Sequence, residues 1–249
     1  MLSEKQAEML NHMFNPKFFA TMDKQGNPNL VVITCAEFYG GDIIFGNLFL
    51  WKTARNLKEN PQVAMLVMDQ KLNYFLVEGV FDRFEESGPL LDRLNRSDMV
   101  RYNAYTGLRN AGVIKIKSVA PLKKYPLAKV FGGFMKASLL FRGKPNFPAN
   151  VGQTFSQLMS LKAVAYNAGG RLQVEILPGV GVNGDYLVPA LKLPEGVRYA
   201  ANVITTDVVS FQVKGVIERR GLRVEEVYAA GPPVVGKRIY RIADSKVAG

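Results

Sequence analysis

Short apolar runs broken by Gly, Pro, Asn and Asp clusters occupy most of the chain, and this pattern predicts strands far more often than helices. Residues 18–22 and 30–36 read as two strands joined by the turn-rich Asp23-Lys24-Gln25-Gly26-Asn27-Pro28. Gly40-Gly41-Asp42 then turns the chain into Ile43-Ile44-Phe45-Gly46. Residues 63–68 and 74–84 form the next hairpin, and 113–119 read as a closing strand with Ile114 and Ile116 on one face and Lys115 and Lys117 on the other. Helical signals are few. Residues 3–12 carry Ser3 as a cap, 53–59 stop before Asn60-Pro61 because proline disfavours helix in the residue before it, and 89–94 place Pro89 in a first turn where it is tolerated. Residues 123–150, with Pro126, Gly132-Gly133, Pro145 and Pro148, read as a connector. A helix at 153–160 restarts the plan, followed by strands near 162–167, 171–177, 185–189, 199–204, 208–218, 223–229 and 238–242.

The plan is therefore written twice. Phe75-Leu76-Val77-Glu78-Gly79-Val80 recurs as Phe211-Gln212-Val213-Lys214-Gly215-Val216, and residues 20–26 are echoed by 164–170. Between them Gly41-Asp42-Ile43-Ile44 is echoed by Gly184-Asp185-Tyr186-Leu187. From this turn to the Phe strand the first copy takes 34 residues and the second 27. The missing stretch matches the helix around Trp51-Lys52-Thr53; its place is taken by residues 191–196, which contain Pro194. A mainly β chain with a few helices follows, built as two tandem antiparallel Greek-key split β-barrels forming a pseudo-dimer. The expected boundaries are 1–123 for the first barrel, 124–152 for a basic connector and 153–249 for a degenerate second barrel. One decorated copy implies one site per chain.

Composition narrows the chemistry. Cys35 is the single cysteine, which excludes an intrachain disulfide and fits a reducing cytosol. His12 is the single histidine, which argues against a multi-histidine metal centre and a Ser-His hydrolase. A Cys35–His12 nucleophile–base pair would lack an orienting third group. Glu4, Lys5 and Glu8 interrupt the start where a signal peptide needs an apolar run, and no run approaches the ~20 apolar residues of a membrane span, so a cytoplasmic protein is expected. The net charge of +11 is concentrated: residues 99–174 contain twelve Lys and Arg and no Asp or Glu. Such a stretch suits an anion, whether a cofactor phosphate, an anionic membrane or nucleic acid, with Val130-Phe131-Gly132-Gly133-Phe134-Met135-Lys136 as an amphipathic contact.

Two glycine motifs are decoys. Gly179-Val180-Gly181-Val182-Asn183-Gly184 matches G-x-G-x-x-G, but a strand follows where a dinucleotide fold needs a helix, so the glycines are assigned to a hairpin turn. Gly231-Pro232-Pro233-Val234-Val235-Gly236-Lys237 has the spacing of a phosphate loop, yet Arg238 replaces the Ser or Thr and two prolines remove backbone donors. Lys52-Thr53 differs from both: it follows a strand and opens a helix, where N–H donors and the dipole favour a phosphate. Lys52 adds a charge and Thr53 a hydroxyl, with Arg55 and Asn56 on the same turn. Glu78 has Lys214 as its counterpart, which marks a surface position rather than a catalytic acid.

The series Gly46-Asn47, Trp51-Lys52-Thr53, Asn56-Leu57, Asn60-Pro61 and then Phe75-x-Val77-Glu78-Gly79 resembles the FMN-binding split barrels, the superfamily of the pyridoxamine 5'-phosphate oxidases and small FMN-binding proteins. The resemblance covers residues 15–122 and implies FMN as cofactor, its phosphate gripped by Lys52 and Thr53. It further implies Asn47, Trp51 and Asn56 around the phosphate and the backbone of Val32, Ile33 and Thr34 along the flavin. It implies an oxidoreductase or electron-transfer protein, with flavin held between the two barrels and a small-molecule redox substrate or electron-transfer partner. Further oligomerisation stays open. The same superfamily includes deazaflavin and haem binders. The C-terminal half has no histidine, which argues against the pyridoxamine phosphate oxidase reaction itself.

Overall fold

A computed structural model describes residues 1–103, 107–140, 143–230 and 235–242. The chain divides into two compact units: Met1–Gln25 with Val32–Tyr125, and Gly26–Val31 with Pro126–Gly249.

The first unit opens with helix α1 (Glu4–Asn11). Ser3 caps it by accepting from the Gln6 N–H while the Gln6 side chain reaches back to the Ser3 N–H, a full capping box. The strands are β1 (Lys17–Met22), β2 (Pro28–Ile33), β3 (Ala36–Tyr39), β4 (Asp42–Asn47), β5 (Gln62–Met68), β6 (Asn73–Glu85), β7 (Asn110–Val119) and β8 (Lys123–Lys124). Helix α2 (Trp51–Glu59) joins β4 to β5, and α3 (Pro89–Asn95) and α4 (Asp98–Asn103) join β6 to β7. The sheet order is β2-β1-β5-β6-β7-β4-β3, with β8 on β6. Ile44, Leu91, Leu94, Val100, Leu108, Ala111 and Val113 form a buried cluster where the inserted helices cover β4 and β7.

The second unit contains α5 (Leu127–Leu139), α6 (Ala149–Ser156), β9 (Leu161–Ala168), β10 (Arg171–Ile176), β11 (Val180–Asn183), β12 (Tyr186–Pro189), β13 (Arg198–Ile204), β14 (Ser210–Glu218), β15 (Gly221–Ala229) and β16 (Arg238–Arg241). Its sheet runs β10-β9-β13-β14-β15-β12-β11, with β16 on β15. Advancing every strand of the first path by eight gives the second path, so the two sheets share one antiparallel topology. Phe155, Val164, Val182, Tyr199, Val213 and Val224 lie in its core.

The register refines the internal echo. Gly79 lies opposite Val63 and Ile116, and Gly215 opposite Tyr199 and Val224. Both follow a β-bulge, between Glu78 and Gly79 and between Lys214 and Gly215. A Cβ on Gly79 would sit 2.5 Å from Ile114 Cγ2, and one on Gly215 1.8 Å from the Arg223 carbonyl oxygen. The repeated Phe-x-Val-x-Gly thus encodes a bulge that needs a close backbone approach. The other two echoes shift by one residue. Ala20 faces Ala64 and Ala165 faces Ala200, which makes 20 and 165 equivalent rather than 20 and 164. The β3–β4 turn is Gly40-Gly41, with φ of 61° and 91°, and the β11–β12 turn is Gly184-Asp185. Matching dipeptides by identity slips the frame, and in a strand a slip of one swaps the faces.

Several elements depart from the sequence reading, among them strand β11, where only a turn was expected, and helix α4. The strand expected over 30–36 ends at Ile33 and resumes at Ala36, because the Ala36 N–H bonds back to the Thr34 carbonyl and the Gly46 N–H to that of Cys35. Within the expected connector, residues 127–139 are helical despite Gly132-Gly133. Gly133 lets α5 lie against Pro178, a Gly179 Cβ would be 2.1 Å from the Gly133 oxygen, and a Gly181 Cβ 2.6 Å from that of Ala137. So Gly179 and Gly181 serve this helix contact, and only Gly184 serves the turn. The helix expected over 153–160 starts earlier, at Ala149, directly after Pro148. The phosphate-loop-like 231–237 lies outside the described residues in its first four positions, as does Arg142 of the basic stretch.

Candidate functional site

The site expected from the sequence lies where β4 runs into α2. Asn47 ends β4 and is buried; its Oδ1 accepts from the Leu50 N–H at 3.2 Å, which bends the chain toward the helix. The Asn47 carbonyl accepts from the Arg109 N–H at 3.0 Å, and Asn47 faces Asn110 across the β4–β7 ladder. Leu50 occupies the N-cap of α2, where Ser, Thr, Asp and Asn are favoured, and a hydrocarbon side chain offers no acceptor. The first turn carries no acid, whereas Lys58 lies in the last turn, where the dipole favours a cation. The contrast with α1, which has Ser3, Gln6 and an acidic Glu4 at its start, is complete. A helix start without a capping side chain or a carboxylate suits an incoming anion.

Around that start, Trp51 is 60% exposed and the Arg109 guanidinium lies over its ring at 3.7 Å. Lys52 is half-buried and Thr53 buried. Thr53, Asn56 and Leu57 form the inward stripe of α2 at helical spacing. Asn56 Nδ2 donates to Thr21 Oγ1 at 3.2 Å, tying α2 to β1. Val32 and Ile33 end β2, the neighbour of β1, with Thr34 just beyond. The structure therefore gathers Asn47, Trp51, Lys52, Thr53 and Asn56 at one helix and puts Val32–Thr34 at the end of the edge strand β2. Arg109 and Asn110 were missed by sequence reasoning. Asn110 Oδ1 is buried with no hydrogen-bond partner among the described residues. The only sequence signal for either is that Arg109-Asn110 precedes the closing strand within the acid-free stretch.

That stretch is not one solvated face. Lys115 Nζ pairs with Asp42 at 2.5 Å, Arg109 stacks on Trp51, and Lys162 is buried. Lys162 has a counterpart in Lys17, the first residue of β1. Lys17 Nζ donates to the His12 carbonyl, the C-cap of α1, at 2.8 Å and to that of Thr34 at 3.1 Å. Lys162 Nζ donates to the Gln157 carbonyl, the C-cap of α6, at 2.7 Å and to that of Ser160 at 2.9 Å. Burial brings each ammonium down to about 8. Cys35 is half-buried beside Gly46 and Ser97, and desolvation pushes its thiol up, which keeps it a poor nucleophile. Glu78 is half-buried and accepts from Ser118 Oγ at 2.9 Å. Among the described residues no group of three His, Cys, Asp or Glu side chains could hold a metal, and no helix is long and apolar enough to cross a membrane.

A sheet of this order, with the Trp-Lys-Thr helix between its fourth and fifth strands, defines the FMN-binding split-barrel class. Residues 2–123 match the pyridoxamine 5'-phosphate oxidase family, which supports the pyridoxamine 5'-phosphate oxidase-like superfamily for this first half of the chain. Solved structures similar to about half of the chain include an FMN-binding protein from Syntrophomonas wolfei subsp. wolfei (23% identity, 49% of this chain and 87% of that one, TM-score 0.42). An F420 reductase aligns at 22% identity over 48% of this chain and 98% of that one, with a TM-score of 0.40. HutZ, the heme storage protein from Vibrio cholerae, aligns at 14% identity over 50% and 95%, with a TM-score of 0.38. No curated protein matches the chain.

Proposed function

We propose that the chain is an FMN-binding flavoprotein, an oxidoreductase or electron-transfer protein, whose cofactor phosphate binds at the start of α2. The observation that carries this reading is the uncapped, acid-free first turn of α2, opened by Trp51-Lys52-Thr53, in a unit of the matching superfamily. Lys52 supplies the charge and Thr53 a hydroxyl donor. Asn47 sets the turn that aims the helix, and Asn56 fixes its first turn onto β1. Arg109 braces Trp51 from one face. The backbone of Val32, Ile33 and Thr34 is the edge available to the flavin ring. FMN would supply hydride or electron transfer; these residues bind and orient it. FMN, F420 and heme each occur among the names of similar structures, and only a phosphate-bearing ligand uses what α2 offers.

An absorbance spectrum of freshly purified protein, with mass identification of the released cofactor, tests the reading: a flavin spectrum and the mass of FMN are expected, at one FMN per chain. Lys52→Ala should weaken FMN binding roughly tenfold or more, since a hydrogen bond to a charged group contributes about 1.5–3 kcal/mol. Unchanged affinity in that variant would remove Lys52 from the site.

A further inference from the structure

Helix α5 presents two faces. Gly133 and Ala137 are buried, with Gly133 against Pro178 and Gly179 and the Ala137 carbonyl against Gly181. On the other side Leu127, Phe131, Met135 and Leu139 are 58, 54, 62 and 77% exposed. Their spacing of four residues makes one stripe, about 18 Å long at 1.5 Å per residue. Lys129 and Lys136, both exposed, lie along one border of that stripe; Lys136 Nζ donates to the Ala190 carbonyl at 3.2 Å. No Asp or Glu occurs in α5 or anywhere from residue 99 to residue 174. Large aliphatic side chains left in water along one helix face mark a docking surface.

We propose that α5 docks on an anionic lipid surface, lying in the plane of the interface with Leu127, Phe131, Met135 and Leu139 inserted and the lysines at headgroup level. Charge complementarity selects this occupant. A second copy packed face to face would bring Lys129 and Lys136 of each helix together with no carboxylate on α5 to offset them. A nucleic acid would meet a mostly aliphatic stripe where a basic, aromatic groove is needed. An anionic bilayer satisfies both parts at once: the acyl region takes the apolar stripe, the long stem of Lys129 lets its ammonium reach the phosphates, and Lys136 adds positive charge beside it. This assignment does not depend on the reading of α2.

Co-sedimentation of the full chain with phosphatidylcholine vesicles, with and without phosphatidylglycerol, tests it. The expected result is binding to the anionic vesicles only, weakening steeply as salt rises. The double variant Phe131→Ser/Met135→Ser should lose about tenfold or more of that binding, and Lys129→Gln a smaller part, with circular dichroism unchanged. Because these side chains are exposed, folding should survive; if it does not, the lipid and salt dependence of the unaltered chain decides. No sedimentation with anionic vesicles at low salt, equal binding to both vesicle types, or full binding by the double variant would overturn the proposal. So would light scattering that shows a dimer dissociated by the double variant, or capture by duplex DNA in place of vesicles.

Discussion

The two units use one strand order, yet they differ wherever a helix is added. Between the fourth and fifth strands the first unit inserts α2, whereas the second passes from Pro189 to Arg198 through Leu193-Pro194 without a helix. Between the sixth and seventh strands the first inserts α3 and α4; the second turns at Arg219-Arg220. The second unit in turn places α5 on β11. What the two keep is the sheet frame and three local devices: the glycine-bearing bulge, the two-residue turn, and a buried lysine that closes the preceding helix. Scaffold and site are thus separable. The frame tolerates helices at its connections, and the helix start at the centre of the candidate anion site belongs to one such addition.

The bulge glycines should give the largest effect. Gly215→Ala, whose Cβ would meet the Arg223 carbonyl at 1.8 Å, should cost more than about 4 kcal/mol in a denaturant titration, while Gly79→Ala, which meets a movable Ile114 methyl at 2.5 Å and the Lys115 carbonyl only at 2.9 Å, should cost less, roughly 1–3 kcal/mol. Equal costs would mean the second bulge is no tighter than the first. Next comes the site itself: Lys52→Ala should lower FMN affinity, whereas Lys192→Ala, in the loop that replaces α2, should not. A matching loss at Lys192 would show that both copies hold a phosphate.

The lysines give a pH signature. Lys17 and Lys162 fall from an ordinary value near 10.5 to about 8, through burial. Between these values the unfolded chain binds more protons, so stability rises with pH from about 8 toward 10. Above that the sign reverses, because burial and a carboxylate partner push Tyr166 and Tyr228 up to about 12 while unfolded tyrosines ionise first. Urea midpoints across this range should peak between, and Lys17→Met should remove part of the rising limb while exposing the His12 and Thr34 carbonyls at a cost of about 1–3 kcal/mol. A flat profile in the unaltered chain would show that these lysines stay protonated. Smaller still, Ser3→Ala should cost about 1 kcal/mol. A corresponding substitution at Pro148, which caps α6 without a side-chain acceptor, should lose no capping bond.

Much of the sheet was legible because its strands are short, antiparallel and bounded by turn residues, so local patterns suffice. The Phe-x-Val-x-Gly echo survived in register because its glycine is pinned by a bulge. The Gly-Asp echo slipped because Gly40 and Gly41 are both turn residues and nothing local says which one matches Gly184. Helix α5 was hidden by Gly132-Gly133; glycine lowers helix propensity, and only the contact with Pro178 and Gly179 explains its use. The burial of Lys17 and Lys162 had no local signal, since pattern reasoning assigns lysine to water. The helix start that carries Lys52 and Thr53 was legible because a turn-bounded strand precedes it and Asn60-Pro61 ends it. Arg109 was not, because its stacking on Trp51 depends on a ladder that joins residues 47 and 110.

The short segment Gly26–Val31 groups with the second unit although both its flanks belong to the first. The Leu30 carbonyl accepts from Asn202 Nδ2 at 3.1 Å and from Gln212, and the Pro28 carbonyl accepts from Lys214 Nζ at 2.9 Å. On a ribosome these carbonyls emerge about 170–190 residues ahead of their donors, which at 5–20 residues per second is a delay of roughly ten to forty seconds. Until then water must serve them. Segment 26–31 therefore waits, without these donors, for the rest of its own unit to be made, and a chain cut after Tyr125 would keep that deficit permanently.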